Sequence, residues 1–181
     1  QGRPVASGTC RQISSVGTDQ LGFDLAATAE TYGNHLLESG RALGTYDLDV
    51  HVPAVARYLV TADALVTSGT NVAQVRLEDG SGSALFDLTV AHLGSDSSLG
   101  FGWLSPGDYR FSGHAEVSAV GDDLTTSSQT GRATGQLRLF HPADFDLNGQ
   151  VDGSDVYWVV WALVNGHPAG DVDGDGDFDL D

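Results

Sequence analysis

The sequence predicts a mainly β protein: an antiparallel β-sandwich, jelly-roll-like, with a small acidic loop-and-helix appendage at its C-terminal end. Three observations predict it. Apolar residues alternate with polar or small ones along most of residues 1–140. Clusters of Gly, Pro, Asp and Ser interrupt that alternation at regular intervals. Beyond His141-Pro142 the alternation stops, and Asp and Gly crowd around one short apolar run.

The alternating runs are read in order. Leu21, Phe23 and Leu25 form the first, and Leu48, Val50 and Val52 the next. Tyr58, Val60, Ala62, Ala64 and Val66 follow, then Ala73, Val75 and Leu77. Ala84, Phe86, Leu88 and Val90 come next, and after them Leu99, Phe101 and Trp103. Tyr109, Phe111, Gly113, Ala115, Val117 and Ala119 keep one parity, and Gly135, Leu137 and Leu139 close the set. Such alternation leaves one face buried and one wet, as in antiparallel strands of a two-layer fold. Asp79-Gly80-Ser81-Gly82-Ser83 reads as a hairpin loop, Ser105-Pro106-Gly107-Asp108 as a tight turn, and Gly121 onward as a longer polar loop. Eight or nine strands at this spacing predict a sandwich over residues 19–140. Residues Ala29–Leu43 are expected to form a short helix or an irregular crossover. Residues 1–18 fit either an edge strand or an extended arm that adds a strand to a neighbouring subunit. Cys10, the only cysteine, forms no intrachain disulfide; it reads as a semi-buried free thiol or as half of an intermolecular bridge.

Charge divides the 181-residue chain in the same place. The net charge is −17. Residues 1–140 hold 15 acids and 8 arginines, whereas residues 141–181 hold ten Asp and no base. A polyanion is a poor partner for nucleic acid or an anionic membrane surface. No apolar run reaches the ~18 residues of a membrane helix. The chain begins at Gln1 and contains no methionine, which points to removal of a signal peptide and hence to a secreted, extracellular or cell-surface protein.

Catalytic signals are sparse. No Gly-x-Ser-x-Gly elbow occurs, and His35, His51, His92 and His114 show no metal-ligand spacing. Glu30, Glu38, Glu78 and Glu116 could supply a glycosidase carboxylate pair only if the fold brought two of them together. Trp103, Tyr109 and Phe111 read as core residues, with a sugar-stacking platform as the sharper alternative. The chain is therefore expected not to be an enzyme.

Residues 141–181 carry the strongest signal. From Asp144, loop positions 1, 3 and 5 are Asp144, Asp146 and Asn148. Gly149 stands at 6, Gln150 at 7, Asp152 at 9 and Asp155 at 12. Calcium takes six to eight hard oxygens from alternate positions of a loop that doubles back. The side chains at 1, 3 and 5, a carbonyl at 7, a water-mediated contact at 9 and a carboxylate at 12 supply them, with Gly at 6 for the turn. The loop runs into the apolar stretch Val156–Val164, expected to be a short helix capped by Ser154 or Asp155 and ended by Asn165-Gly166. Val156, Val160 and Leu163 share a face, Trp158 and Trp161 are i, i+3 neighbours, and so apolar a helix must dock on something. A second loop places Asp171, Asp173, Asp175, Asp177 and Asp179 at positions 1, 3, 5, 7 and 9, and the sequence ends at Asp181, position 11. One or two Ca2+ ions are expected.

Two loops of this kind, with Asp rather than Glu at position 12 and no entering helix, resemble the dockerin type I repeat over residues 144–181. The resemblance implies a secreted bacterial module of paired calcium loops that binds a cohesin-like scaffold. The family's partner-contact positions fall on Gly153 and Ser154 and on Leu180 and Asp181. The expected function is that of a non-catalytic calcium-binding structural or assembly protein of the bacterial exterior, self-associating into a filament or array. The alternative is a carbohydrate-binding module, with a polysaccharide as partner and a dockerin-like tether.

Overall fold

A computed structural model describes residues 6–17, 20–32, 38–67, 71–121 and 126–167. Among these residues nine strands precede one helix. They are β1 (Ser7–Val16), β2 (Gln20–Thr31), β3 (Glu38–Val52), β4 (Ala56–Val66), β5 (Val72–Asp79), β6 (Ala84–Val90), β7 (Gly94–Leu104), β8 (Gly107–Gly121), β9 (Ser127–Phe140) and α1 (Gly153–Asn165). One sheet has the order β1-β2-β9-β4-β7 and the other β3-β8-β5-β6. All pairings are antiparallel. β2 pairs with β9, β3 with β8, β4 with β7 and β5 with β6, so the eight strands are the arms of one long hairpin rolled into two layers. That is the jelly-roll form of the sandwich.

The inward parity fills the space between the sheets. Phe111, Leu25, Leu77, Leu137, Val60, Val75 and Val117 are fully buried there. Phe23 packs its ring 4.8 Å from that of Tyr46 and 5.2 Å from that of Phe111. The ring needs space on β9 beside it and on β8 in the facing sheet: Gly135 and Gly113 face it, and a Cβ on Gly135 would lie 2.6 Å from Phe23. Asn71 is buried and its Oδ1 accepts the backbone N–H of Ser118 at 2.8 Å, so a polar group sits in the layer with its partner. The hairpin at Asp79 is held by the Asp79 carboxylate, which accepts the N–H groups of Ser81 and Ser83 at 2.9 Å each.

Three expectations change. Residues 38–43 are strand, not helix or crossover, and β2 extends to Thr31; the inward residues Ala27, Ala29, Ala42 and Gly44 are too small to display period 2. Within residues 7–16 the N-terminal segment is an edge strand on β2, one of the two forms the sequence offers. Cys10 is a free thiol exposed on that strand, not semi-buried. The parity of β7 is inverted: Leu99 and Phe101 point outward, 58% and 55% exposed. The inward side of β7 is Gly100, Gly102 and Leu104, because the rings of Phe86 and Tyr58 occupy the space that side chains at Gly100 and Gly102 would need.

Candidate metal centre

The outward parity of β4 and β7 builds the floor of the site. Arg57 of β4 stands opposite Trp103 of β7 and Phe140 of β9 in the strand register. Arg57 is buried, and its guanidinium lies 5.0 Å from the Trp103 ring and 4.7 Å from the Phe145 ring. Its Nη1 donates to the main-chain carbonyl of Asp144 at 3.1 Å. Burial lowers the Arg57 pKa, and the charges of Asp144 and Asp155 act against that shift. Trp103 is thus half-buried beneath an arginine and a phenylalanine, while Tyr109 and Phe111 are core. The three do not form a sugar platform.

The acidic loop closes above this floor. Carboxylate oxygens of Asp144, Asp146 and Asp155 all lie within 4.8 Å of one another. The backbone holds them there. Asp144 accepts the N–H of Asn148 on one oxygen at 3.1 Å and that of Gly149 on the other at 2.8 Å. Asp146 accepts the Asn148 N–H at 3.1 Å and the Asn148 Nδ2 at 2.9 Å. Asn148 in turn accepts the Gln150 N–H at 2.7 Å. Gly149 has φ +92°, the left-handed turn for which position 6 needs glycine.

Asp155 joins loop to helix. Burial works to raise its pKa, but backbone donors at Asp152, Asp146 and Phe145, with the Arg57 charge, outweigh it and hold the carboxyl below its ordinary value. Asp155 is also residue N3 of a capping box whose N-cap is Asp152, two or three residues before the expected cap at Ser154 or Asp155. Asp152 accepts the Ser154 N–H at 2.8 Å and its hydroxyl at 2.7 Å, which lowers its pKa. Gly166 ends the helix in the left-handed conformation, as Asn165-Gly166 predicts.

The helix lies beside the sandwich with its apolar stripe largely in water. Val156 and Val160 are exposed, whereas Ala162 is buried. Trp158, Trp161 and Ala162 line a cleft of about 420 Å³ against Leu59, Leu99 and Phe101. The indoles of Trp158 and Trp161 stand edge to face, 5.6 Å apart. The outward Leu99 and Phe101 of β7 line the same cleft as the helix.

The donor set fits a hard divalent cation: oxygen ligands only, three convergent carboxylates and an amide side chain on a preorganised backbone. Of the residues chosen from the sequence, Asp144, Asp146 and Asp155 converge, and Asn148 is bonded into the cluster. The Asp152 side chain turns to the helix N-terminus, and the Gln150 backbone follows Asn148. Asp171, Asp173, Asp175, Asp177 and Asp179 lie outside the described residues. The sequence gives no sign that Arg57 or Phe145 belongs to the site and offers Trp103 only as core or sugar platform, since only the strand register brings Arg57 and Trp103 under the loop. Among the described residues no helix is long and apolar enough to cross a membrane.

No family model matches the sequence, and no curated protein matches it. Solved structures similar to the chain include that of infectious bursal disease virus Gx strain, at 10% identity and TM-score 0.31 over 74% of this chain and 32% of that one. A family 61 carbohydrate-binding module in complex with β-1,4-galactotriose aligns at 13% identity and TM-score 0.31, over 76% of this chain and 88% of that one. The module from Cellvibrio mixtus lichenase 5A in complex with cellotriose aligns at 13% identity and TM-score 0.28, over 72% and 85%. The chain thus spans about a third of the length of the viral protein. Likenesses this distant assign no function.

Proposed function

We propose that this chain is a non-catalytic calcium-binding structural module of a secreted protein. The sandwich is its body, and the loop and helix form an appendage that Ca2+ stiffens. The observation that carries this reading is the convergence of Asp144, Asp146 and Asp155 within 4.8 Å on a loop whose own N–H groups aim them inward. Three carboxylates so close repel one another strongly unless a cation lies between them. The exposed apolar surface of α1, with Val156, Tyr157, Val160 and Val164 in water, supports an assembly role, with further copies or a cohesin-like scaffold as partner and a filament or array as the product. Calorimetric titration of chelator-treated protein tests the metal: Ca2+ binds at one or two sites with Mg2+ weaker, and absence of a calcium isotherm refutes the reading. Sedimentation and negative-stain microscopy test the assembly: larger species form in calcium and dissolve in chelator, whereas a compact monomer in both conditions removes the filament.

A second reading, polysaccharide binding, is favoured by Phe101, Trp158 and Trp161, which are partly exposed along one cleft. Its test is co-sedimentation with insoluble polysaccharides and titration with cello- and galacto-oligosaccharides. Loss of binding in Trp158→Ala supports it, and no binding to any glycan ends it.

A further inference from the structure

We infer that Arg57 is the anchor that fastens the acidic loop to the sandwich, and that through it cation occupancy of the loop stabilises the sandwich itself. The second half rests on the calcium reading above; the first does not.

Arg57 belongs to the body of the fold. It lies in the interior strand β4, next to the edge strand β7, opposite Trp103 on one side and Phe140 on the other. Among the described residues it is the arginine that is buried, at 5% exposure. Guanidinium does not deprotonate in proteins, so this is a cation taken out of water, and the surroundings must offset the desolvation. Two aromatic faces and one carbonyl do so: Trp103 from the sheet, Phe145 from the loop, and the Asp144 oxygen at 3.1 Å. Two of these three partners belong to the acidic loop. The side chain therefore reaches its buried state only when the loop is folded onto the sheet.

The loop has the reciprocal dependence. The residue that stacks on Arg57 is loop position 2, between the ligands Asp144 and Asp146, and its N–H is held by Asp155 at 2.6 Å. The carbonyl that Arg57 binds is that of Asp144. Any force that orders the three carboxylates orders both groups that Arg57 touches. Phe140, buried although it points outward from β9, lies beside Arg57 in the register and extends the same seam. A cation that binds only the ordered loop stabilises everything linked cooperatively to that order. Without the anchor the loop would fold on its ion as an independent unit, and the sandwich would be indifferent to it.

The test compares the whole chain with Arg57→Gln and with Phe145→Ala, which removes only the loop-side ring and leaves every sandwich residue in place. Each protein is titrated with CaCl2 to a concentration about 100 times its own Kd, so a change in affinity is separated from a change in coupling. In the unaltered chain the main calorimetric transition, that of the sandwich, rises by about 5–10 °C. In both variants the rise falls below about 2 °C although calcium still saturates the loop. A full shift retained in either variant overturns the coupling. Hydrogen exchange in chelator reads the anchor without metal: the amides of Phe145, Asn148 and Gly149 exchange about tenfold faster or more in both variants, and unchanged rates overturn the anchor. If the unaltered chain gives no calcium isotherm, the calcium reading and the coupling fall together, and the exchange measurement still decides the anchor.

Discussion

The carboxylate of Asp155 accepts the backbone N–H of Phe145 at 2.6 Å, ten residues back along the chain, and so ties the first turn of α1 to the start of the acidic loop. Its other oxygen accepts the N–H of Asp152 at 2.7 Å and closes the capping box. One side chain is thus loop closure, helix cap and the best buried of the candidate ligands with Asp144. Asp155→Asn keeps the shape but removes a charge and half of the acceptor capacity. Calcium affinity should fall on the order of 100-fold, as for loss of a coordinating or orienting group. Asp152→Ala should weaken the helix by about 1 kcal/mol through the cap, with a smaller effect on affinity. Titration calorimetry and the emission of Trp158 and Trp161 separate the two. Equal affinity losses in both variants would show that the helix cap, and not ligation, is what Asp155 supplies.

The inverted face of β7 has its own test. Gly100 faces inward onto the Phe86 ring and Phe101 faces outward over the cleft. Gly100→Val overpacks the core and should cost about 1–3 kcal/mol, a fall in Tm of about 3–10 °C. Phe101→Ser leaves the core intact and should move Tm by about 2 °C or less. A thermal melt followed by far-UV circular dichroism decides it, since the parity written in the sequence requires the opposite ranking.

That inversion marks the limit of what the sequence can carry. On β8 the inward residues from Tyr109 to Ala119 are all buried as the alternation requires, because the strand lies inside its sheet and packs on β2 and β9 across the layers. β7 is an edge strand, and both of its faces meet apolar groups, so alternation does not say which face is the core. The acidic loop was legible because its spacing is local: Asp144, Asp146, Asn148 and Asp155 lie within twelve residues, and a loop that short constrains its own geometry. Arg57 was not, since its partner carbonyl is 87 residues away and only the register of β4 with β7 and β9 creates the contact. The apolar stripe of Val156, Val160 and Leu163 does not say which face of α1 is covered: Val156 and Val160 are exposed, and Ala162 is the buried apolar residue.

Asn71 supplies a prediction about polar burial. It is fully buried just before β5, and its Oδ1 accepts the N–H of Ser118 in β8. Asn71→Leu is close in size but leaves that N–H without its acceptor. The cost of an unpaired backbone donor is about 1–3 kcal/mol, which lowers Tm by about 3–10 °C. Asn71→Asp keeps the acceptor but buries a carboxylate, so it should not restore the Tm of the unaltered chain at neutral pH. The hydrogen-exchange rate of the Ser118 amide reports the bond directly, and no acceleration in Asn71→Leu would show that another group replaces it.

Acid stability is expected to depend on Asp24. On the outer face of the first sheet, Arg132 grips Asp24 with Nε at 2.9 Å and Nη2 at 3.0 Å. The Arg132 hydrogen bond is the main cause that holds the Asp24 carboxyl below its ordinary value, against partial burial that would raise it, with the Arg132 charge and Thr134 adding to the lowering. A carboxylate whose folded pKa is depressed contributes stability that is fully present above its unfolded pKa, near 3.9. That contribution is lost as pH falls through the lower folded value. Both partners are partly exposed, so the pair is worth no more than about 0.5–1 kcal/mol, or about 1–4 °C in Tm. Asp24→Asn should therefore melt lower than the unaltered chain by a constant amount from pH 7 down to about pH 5. The two curves should converge as pH drops below about 4, where the native carboxylate gains its proton. Melts at pH 2–7 in low salt give the difference curve. A gap that widens toward acid would mean that Asp24 is held in its neutral form, and that Arg132 does not set its charge.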